Sequence, residues 1–465
     1  MRIASILFCL VSLTSFAEKR PNVIVFYTDD HGYADLSCQG SVPDIRTPHV
    51  DALAKSGVRA LHGYSTAPQC VPSRGGLLIG RFQSKFGLEN NNDSLDGFNR
   101  EETIAERLSA VGYTTAQFGK WHLGPTNKIT EHGFKHVFAQ NINAPLMANI
   151  DIHGKDLPMG KIKNTEYHVI GCSKAAISVI KRYQEQPFFL YIAYRAPHVP
   201  LDAPQEYLDR FPGEMPERRR QALAMLSAVD DGVGMVTNTL DQLKLKENTL
   251  VFYIGDNGAP YKMFKHDAPG GGPGWDGSLN DPMNGEKGML TEGGIHVPYV
   301  VSWPNKIKPD QVYQHPLSSL DVAATITQYC KLSVPQNKLD GINIVPYLSG
   351  EKNMAPDRAL AWRWLNQAAY RDGDWKYYRA AGREYLFNLK DDLSEKKNLI
   401  QQYPEISSKL KKELSVWDKS LVPAAPLSVE KSSTINKFLD FYLDGKDVPF
   451  TEFKKPKKKR KKSNK

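Results

Sequence analysis

Short, continuous runs of apolar residues recur along this chain, and segments with helical spacing of apolar positions lie between them. The runs cover residues 21–27, 113–118, 187–194, 248–254 and 299–303. An unbroken apolar run bounded by polar residues, proline or glycine is typical of a strand buried on both faces. The pattern predicts an α/β fold, with a large, mostly parallel or mixed sheet sandwiched by helices.

The segments between these runs are amphipathic and predict helices at 47–56, 100–111, 172–183, 218–243 and 319–329. Gly57 and Gly112 directly follow two of them, as expected at helix ends. Residues 141–164 show no clear period, so we expect a surface loop or insertion there. Residues 262–284 are rich in glycine, proline and aspartate, which predicts a flexible rim over a pocket.

The pattern changes near residues 346–356. Beyond this point, short aromatic segments separated by turns predict a small antiparallel sheet, with strands at 359–364, 369–371, 375–379 and 385–389. Helices are expected at 405–417 and 432–442. The predicted organisation is a main domain over 18–350, a sheet-plus-helix subdomain over 351–425 and a helical extension over 426–453.

The N-terminus has the features of a secretory signal peptide over residues 1–17. Arg2 supplies the charged start, residues 3–13 are apolar, and residues 15–17 form a small-x-small cleavage site. The apolar stretch is too short to span a bilayer. We therefore expect an exported protein, periplasmic or secreted, with no membrane span.

The formal net charge of +9 is concentrated at the other end of the chain. Residues 454–465 contain nine basic residues and no acidic residue, so the body of the protein is close to neutral. Such a tail is too charged to fold, and we expect disorder. It either aids solubility or tethers the protein to a polyanion. Because the chain carries an export signal, no nucleic-acid partner is expected.

Polar side chains follow two of the predicted strands. Asp29 and Asp30 come directly after the first apolar run, and Asp256 and Asn257 follow the run at 248–254. Open α/β sheets place their ligands at the carboxyl ends of the strands, so these four side chains should meet. Their oxygens suit a hard cation such as calcium or magnesium. Solvated turn residues are the alternative for each pair taken alone.

Two further strand ends carry candidate histidines. Lys120 and His122 lie between glycines after the run at 113–118, where two side chains can converge on one anion. His198 lies between prolines after the run at 187–194, and such a rigidly held imidazole suits a proton donor. For His198 taken alone, an exposed loop histidine is the alternative, and the Lys120–His122 spacing is weak evidence by itself.

Cys70 begins a distinctive segment, Cys70-Val71-Pro72-Ser73-Arg74, which continues into glycines and an apolar run. Proline suits the first turn of a helix, so the cysteine is predicted at a loop-to-helix junction, where backbone amides favour anions. A lone cysteine is more often a buried, inert thiol. The five-residue signature, however, resembles the Cys-x-Pro-Ser-Arg motif of the sulfatase family.

Other sulfatase-like motifs follow in family order over about residues 21–399. Residues 119–124 resemble Gly-Lys-x-His-x-Gly, and His198 stands in the family's Pro-His context. Residues 287–298 resemble Lys-Gly…Glu-Gly-Gly-x-Arg-Val-Pro, and residues 387–399 resemble the end of the family's C-terminal subdomain. Three positions depart from the family pattern: Val71 replaces Ser or Thr, Ile79 replaces Thr, and His296 replaces Arg.

The resemblance implies an alkaline phosphatase-like fold with a small C-terminal α+β subdomain and the activity of a sulfuric ester hydrolase. In the family, a maturation enzyme oxidises the cysteine, here Cys70, to formylglycine, and the hydrated aldehyde is the nucleophile. The family uses calcium, so one Ca²⁺ per chain is expected in preference to Mg²⁺. Its implied ligands are Asp29, Asp30, Asp256, Asn257 and the modified Cys70.

The resemblance also implies roles for the cationic and histidine side chains. Lys120 and Lys287 would balance the charge of the sulfuryl group, and Arg74 would hold the diol and the carboxylates in place. His198 would protonate the leaving alcohol, a role shared with Lys287. His122 would deprotonate the second hydroxyl of the diol.

Export, a basic tail and a glycine-rich rim fit a sulfated polysaccharide or its oligosaccharides, such as algal galactans or host glycosaminoglycans. Four residues are candidates for shaping sugar subsites, with structural roles equally compatible: His31, His296, Arg363 and Trp364. Two other functions remain open: phosphoester or phosphonate hydrolysis on the same fold, and non-catalytic binding of sulfated glycans. One disulfide can form among Cys38, Cys172 and Cys330, with its pairing undetermined.

Overall fold

The structure is a computed structural model and describes residues 19–142, 144–163, 165–260, 276–424 and 429–448. The predicted signal peptide (1–17) and basic tail (454–465) lie outside these residues, as does most of the segment at 262–284. Within the described residues, no helix is both long and apolar enough to cross a membrane.

The strands of the described chain are, in order, β1 (Asn22–Asp29), β2 (Val58–Ala60), β3 (Gly63–Tyr64), β4 (Thr114–Gly119), β5 (His136–Ala139), β6 (Met147–Ile150), β7 (Asp156–Lys161), β8 (Phe188–Pro197), β9 (Thr249–Gly255), β10 (Tyr299–Ser302), β11 (Gln311–Tyr313), β12 (Leu317–Ser318), β13 (Leu360–Trp364), β14 (Gln367–Asp372), β15 (Trp375–Ala380) and β16 (Arg383–Asn388).

The α-helices are α1 (Pro48–Lys55), α2 (Cys70–Ile79), α3 (Ile104–Ala110), α4 (His168–Arg182), α5 (Gln205–Leu208), α6 (Glu217–Gln242), α7 (Glu292–Ile295), α8 (Asp321–Tyr329), α9 (Val345–Leu348), α10 (Pro404–Asp418) and α11 (Val429–Tyr442). The helices expected at 47–56, 172–183, 218–243 and 319–329 are therefore present, with ends shifted by a few residues.

A ten-stranded mixed sheet forms the centre of the molecule, in the order β11-β2-β10-β9-β1-β8-β4-β5-β6-β7. Its middle, from β9 to β5, is parallel, whereas β10, β6 and β7 run antiparallel to their neighbours. This arrangement confirms the predicted α/β architecture. It also places the carboxyl ends of the four central strands at one edge of the sheet.

Alternate side chains of the central strands enter two different cores. In β1, Val23, Val25 and Tyr27 pack with α2, α3 and α8 on one face. Ile24 and Phe26 pack with α1, α4 and α6 on the other face. Because both faces are covered, a continuous apolar run is the only pattern that fits these strands.

The C-terminal subdomain is a four-stranded antiparallel sheet, β13-β14-β15-β16. One face packs on α10 through Leu410 and Leu414. The opposite face packs on α11 and on the main domain, where Tyr64, Met289 and Ile295 join the same core. The predicted antiparallel sheet is confirmed, and it is continuous with the main domain through this shared core.

Residues 141–164, for which we expected a surface loop or insertion, contain regular strands. They contain β6 and β7, which extend the large sheet at one edge. β7 is mostly exposed and has no apolar run, so hydrophobic periodicity could not reveal it. The four cysteines of the described chain are free thiols, so no disulfide links Cys38, Cys172 and Cys330.

Candidate active site

The side chains expected at the strand ends lie together at one edge of the large sheet. β1 lies between β8 and β9, and β4 pairs with the far side of β8. The residues brought together at these strand ends are Asp29 and Asp30 (β1), Lys120 and His122 (β4), His198 (β8), and Asp256 and Asn257 (β9). Asp30 and His122 adopt left-handed backbone conformations, with φ of 58° and 61°. Such conformations are uncommon for residues other than glycine and concentrate at functional sites.

Cys70 enters this cluster from the first turn of α2. Gln69 before it is extended, with φ of −146°, and the helix ends at Gly80 in a left-handed conformation. The predicted loop-to-helix junction is therefore confirmed. The Cys70 thiol lies 3.2 Å from Asp29 Oδ1 and 3.9 Å from Asp30 Oδ1.

Two glycines allow α2 to sit this close to its neighbours. A β-carbon at Gly75 would lie 2.7 Å from Leu88 Cδ2, and one at Gly76 would lie 2.6 Å from Thr66 Oγ1. Side chains at these positions would push the helix away from the strand ends. The glycines of the motif are therefore explained by packing.

Three cations surround the carboxylates: Lys120 and Arg74 are fully buried, and the Lys287 side chain is 12% exposed. Lys120 Nζ donates to Asp29 Oδ2, and Lys287 Nζ lies 2.6 Å and 2.9 Å from the two oxygens of Asp30. Lys287 Nζ is also 3.4 Å from Cys70 Sγ. The sulfur therefore sits between a carboxylate and an ammonium group, at the point where a reacting anion would be held.

Arg74, one turn further along α2, anchors the other side of the cluster. Its Nε and Nη2 donate to Asp256 Oδ2 at 3.1 Å and 2.8 Å, and its Nη1 donates to the carbonyl of Lys120 at 2.9 Å. The guanidinium also lies over the ring of Tyr27, 5.5 Å from its centroid. One fully buried arginine thus joins α2 to the ends of β1, β4 and β9.

The electrostatics of the cluster favour a protonated thiol and neutral imidazoles. Burial and the negative Asp29 raise the pKa of the Cys70 thiol well above its usual value. Burial, reinforced by Lys120, lowers the pKa of His122 to about 3, and burial also lowers the pKa of His198. An unmodified Cys70 is therefore a poor nucleophile here, because the thiolate is the reactive form.

The three carboxylates are too close together to be stable without cations. Burial by itself raises the pKa of Asp29, but Lys120 and the other cations hold it well below its usual range. Burial and the charge of Asp29 raise the pKa of Asp256 to about 7. This pattern is typical of like charges that share one site.

The donor set fits a hard divalent cation. The ligand atoms of Asp29, Asp30, Cys70 and His198 lie within 4.8 Å of one another. Asn257 Nδ2 donates to Asp30 Oδ1 at 2.7 Å, whereas Asn257 Oδ1 is buried and has no hydrogen-bond partner among the described residues. A buried amide oxygen without a donor is what a cation ligand requires, and oxygen donors favour calcium or magnesium over zinc.

The two candidate histidines are each fixed by a hydrogen bond. His198 Nδ1 donates to the carbonyl of Val199 at 2.7 Å, which leaves Nε2 directed at Asp30 Oδ2, 3.5 Å away. His122 is held through its backbone amide, which donates to Asn141 Oδ1 at 2.7 Å. The buried Nδ1 of His122 has no partner within the described chain. Both rings therefore keep one nitrogen available for a ligand.

The family is decided by sequence comparison. The profile described as Sulfatase matches residues 21–331, which is well over half of the chain. The chain belongs to the sulfatase family. A second profile, described as N-sulphoglucosamine sulphohydrolase, C-terminal, matches residues 285–420 of this sulfatase.

Several relatives share most of their length with this sulfatase. The N-acetylgalactosamine-6-O-sulfatase of Bacteroides thetaiotaomicron is 28% identical over 488 residues, covering 84% of this chain and 92% of the relative. The N-acetylgalactosamine-6-sulfatase of Canis lupus familiaris is 29% identical over 402 residues, covering 75% and 73%. The resemblance therefore extends through both the main domain and the C-terminal subdomain.

Solved structures agree with this placement. Ps i-CgsB in complex with k-i-k-neocarrahexaose has a TM-score of 0.77 at 29% identity and covers 90% of this chain and 98% of its own. A phosphonate monoester hydrolase from Silicibacter pomeroyi shares the fold, with a TM-score of 0.66 at 16% identity. This sulfatase is therefore a sulfuric ester hydrolase with an alkaline phosphatase-like fold.

Two of the four candidates for sugar contacts are completely buried histidines. Both ring nitrogens of His31 have protein partners, with Thr28 Oγ1 at 3.0 Å and the carbonyl of Asp35 at 2.9 Å. His296 contacts Glu292 Oε2 at 2.9 Å and the carbonyl of Leu61 at 2.7 Å. Their placement favours the structural alternative that the sequence left open.

Arg363 and Trp364 also lie inside the sulfatase. Arg363 Nε donates to Glu89 Oε1 at 2.6 Å, and its Nη1 donates to Asp418 Oδ1 at 2.9 Å. Trp364 is 7% exposed and packs in the core shared by the two domains. Both residues join the C-terminal sheet to its surroundings, and neither side chain lies at the strand-end cluster.

Sequence reasoning missed polar residues that support the site from distant segments. Asn91 Oδ1 accepts the backbone amide of Val71 at 3.0 Å and so holds the first turn of α2. Gln367, in β14, contacts the backbone beside Lys287. The polar run at residues 90–93 was a weak signal for Asn91, whereas no local pattern distinguishes Gln367.

Proposed function

We propose that this protein is an exported sulfatase that removes sulfate esters from sulfated polysaccharides or oligosaccharides, using formylglycine at position 70 and a calcium ion. The observation that carries the proposal is the position of Cys70. Its sulfur lies 3.2 Å from a carboxylate of the candidate cation site and 3.4 Å from the Lys287 ammonium. An oxygen nucleophile at this position would stand between a cation and a group that binds an anion.

The donor set suits calcium or magnesium, and calcium is proposed in preference to magnesium because the sulfatase family uses it. Asp29, Asp30, Asp256 and Asn257 would hold it, together with the modified side chain at position 70. When bound, the ion would polarise the sulfate ester and the hydrated aldehyde. Asn257 Oδ1, buried and without a hydrogen-bond donor in the described chain, supports this assignment.

Formylglycine explains why a poorly reactive cysteine occupies this position. A maturation enzyme, using an external two-electron oxidant, would convert the Cys70 side chain to an aldehyde, with water supplying the oxygen and the sulfur leaving as hydrogen sulfide. A second water molecule would add to give a geminal diol. One hydroxyl attacks the sulfur atom, and the bond between sulfur and the substrate oxygen breaks as the alcohol leaves with a proton. The second hydroxyl then loses its proton, hydrogen sulfate departs, and the aldehyde is restored. One water molecule is consumed in each turnover.

The chain's own side chains have separate tasks in this scheme. Lys120 and Lys287 balance the negative charge of the sulfuryl group. Arg74 holds the diol and the carboxylates in place through its contacts with Asp256 and the Lys120 carbonyl. His122 is neutral because burial and Lys120 lower its pKa to about 3. A neutral imidazole can accept the proton of the second hydroxyl.

His198 is proposed to protonate the leaving alcohol. Its Nδ1 hydrogen bond to Val199 fixes the ring with Nε2 directed into the site. Burial lowers the pKa of His198 in the free protein. A bound sulfate ester brings negative charge close to the imidazole and favours its protonated form. Substrate binding would therefore raise the pKa of His198 and supply the proton for the leaving alcohol.

The substrate class is supported by what similar proteins are described as acting on or binding. The Bacteroides thetaiotaomicron relative is an N-acetylgalactosamine-6-O-sulfatase, and the structural neighbour Ps i-CgsB is in complex with k-i-k-neocarrahexaose. The signal peptide predicted at 1–17 agrees with a polymeric substrate outside the cytoplasm. The basic tail at 454–465 is proposed to keep the enzyme close to such a polyanion.

The test is sulfate release across a panel of defined sulfated oligosaccharides, including galactans and glycosaminoglycans, beside an aryl sulfate, an aryl phosphate and an aryl phosphonate. We expect release of sulfate from at least one glycan and a faster reaction with the aryl sulfate than with its phosphorus analogues. Preferred release of phosphate or phosphonate would overturn the proposal in favour of a phosphoester hydrolase. Tight glycan binding with no turnover, and an unmodified Cys70 by mass spectrometry, would favour a binding protein.

A further inference from the structure

Lys287 belongs to a segment without regular secondary structure, so its position depends on specific backbone contacts. On the side of the main domain, its backbone amide donates to the carbonyl of Ala259 at 3.1 Å, and the amide of Gly288 donates to the carbonyl of Pro68 at 3.0 Å. Gly288 has a φ of +88°. These contacts fix one side of the turn that carries Lys287.

The other side of this turn is held by Gln367, the first residue of β14 in the C-terminal sheet. Its Nε2 donates to the carbonyl of Gly288 at 2.9 Å, and its Oε1 accepts the amide of Leu290 at 3.2 Å. The hydroxyl of Tyr378 also donates to this Oε1. Gln367 is 1% exposed, so water cannot replace these contacts easily.

The same subdomain fixes the end of the segment. Glu395 Oε2 accepts the backbone amide of Glu292 at 2.6 Å. Lys376 Nζ lies 2.8 Å from Glu292 Oε1 and 2.9 Å from Glu395 Oε1, and all three side chains are fully buried. Gln367 therefore acts on a segment whose far end cannot move to compensate for its loss.

We propose that Gln367 is a positioning residue for Lys287 and that the C-terminal sheet thereby completes the sulfate pocket. This inference rests on the proposed role of Lys287 at the transferring sulfuryl group. A lysine ammonium group lies at the end of a long, flexible side chain. Its position in the site therefore depends on how firmly the backbone that carries it is held. Small displacements of a charge-stabilising group lower the rate of the chemical step far more than they weaken substrate binding.

The direct test replaces Gln367 with methionine, which has a similar length and none of the hydrogen bonds. We expect Gln367→Met to lower kcat for an aryl sulfate by about tenfold while KM stays within about twofold, because the lost contact acts on the transition state. The loss should grow as the leaving group becomes a weaker acid, because Lys287 shares in balancing the leaving oxygen. A sugar sulfate should therefore be affected more than the aryl sulfate.

A second variant separates positioning from folding. Gln367→Glu keeps an oxygen that accepts from Leu290 and Tyr378 but loses the donor to Gly288, so kcat should fall in this variant too. Leu410→Ala is the matched control, because Leu410 packs against the opposite face of the same sheet. It should lower the midpoint of thermal unfolding without changing kcat at temperatures where the protein is folded.

A double-mutant comparison decides whether Gln367 acts through Lys287. In a Lys287→Ala background, Gln367→Met should change the remaining kcat by less than about twofold, because the group that it positions is absent. An equal loss in both backgrounds would overturn the inference, and so would an unchanged kcat in the single Gln367 variants. If the wild-type protein itself released no sulfate, the proposed function would fail instead, so the two failures are distinguishable.

Discussion

Single residues set the chemistry of this site, and Cys70 is the clearest case. Its thiol is fully buried beside Asp29, and both burial and that negative charge keep it protonated. Serine and cysteine differ from the proposed diol in one decisive respect, which is the number of oxygens on the reacting carbon. The second oxygen would allow the sulfated intermediate to collapse to the aldehyde once His122 has accepted its proton.

Replacement of Cys70 should therefore separate the two halves of the reaction. We expect Cys70→Ala to lower kcat by at least about three orders of magnitude, because no nucleophile remains. Cys70→Ser should take up one sulfuryl group and stop, and intact-mass spectrometry would detect the added SO₃. Full turnover by the alanine variant would contradict the proposed nucleophile.

Asn257 is the proposed neutral oxygen ligand of the candidate cation site. We expect Asn257→Leu to weaken calcium binding by about 10- to 100-fold, since a buried oxygen ligand is replaced by an apolar group of similar size. Calorimetric titration of the apoprotein with calcium measures the effect, and titration with magnesium serves as the comparison. Unchanged calcium affinity would remove Asn257 from the ligand set.

His136 supplies a pH-dependent contribution to stability far from the site. Its Nε2 is hydrogen-bonded to the hydroxyl of Tyr183 at 2.9 Å, and burial lowers its pKa from 6.5 to about 4. The unfolded chain therefore binds a proton over this range while the folded chain does not. The stabilisation is fully present above pH 6.5 and is lost as the pH falls towards 4.

The free energy of unfolding of the wild type should accordingly fall by about 2 kcal/mol more than that of His136→Gln across this range. Urea unfolding at several pH values measures the difference. The exposed His153, replaced by glutamine, is the matched control. Parallel curves for the wild type and His136→Gln would show that protonation of this ring is not coupled to folding.

Elements differ in how much of them local sequence can predict. β1, β8 and β9 are buried on both faces, so their continuous apolar runs are visible in the chain. β7 forms one edge of the sheet and none of its residues is fully buried, and β6 beside it is only four residues long, so no extended apolar run marks either strand. The sequence therefore predicts the central strands of the sheet but does not predict β6 and β7.

The residues of the site also differ in how far the sequence alone could predict them. Asp29, Asp256 and their neighbours follow strands that are easily predicted, and parallel topology brings strand ends together, so sequence alone could group them. Gln367 acts through backbone atoms of a segment that is distant in the sequence. A glutamine at the start of a strand has no distinguishing sequence motif. Only the packing of the C-terminal sheet on the main domain shows which backbone atoms it contacts.

Helix contacts follow local rules more closely. The carboxylate of Asp230 in α6 accepts the backbone amides of His49 and Val50 at 3.0 Å and 2.8 Å. These amides belong to the first turn of α1, where such donors are otherwise unpaired. One acidic side chain thus joins two helices on the same face of the sheet.

At the scale of the whole molecule, the junction between the main domain and the C-terminal sheet contains a buried ion triad. Lys376 lies between Glu292 and Glu395, and none of the three side chains is exposed. We expect Lys376→Met to lower the free energy of unfolding by about 3 to 5 kcal/mol, because the cation that Glu292 and Glu395 share is removed while both carboxyl groups stay buried.

Chemical denaturation followed by circular dichroism measures this loss. Lys411→Met is the control, because Lys411 pairs with Glu384 at the surface, and exposed ion pairs contribute only about 0 to 1 kcal/mol. Equal effects of the two substitutions would mean that the triad does not hold the domains together.

The complete enclosure of Cys70 also bears on when the proposed oxidation could take place. The proposed maturation enzyme cannot reach a side chain that has no accessible surface, so it would have to act before this part of the chain folds. Gln367 and Lys376, which complete the packing around the segment of Lys287, are synthesised after the motif. A molecule that folds before the proposed oxidation would therefore keep its cysteine.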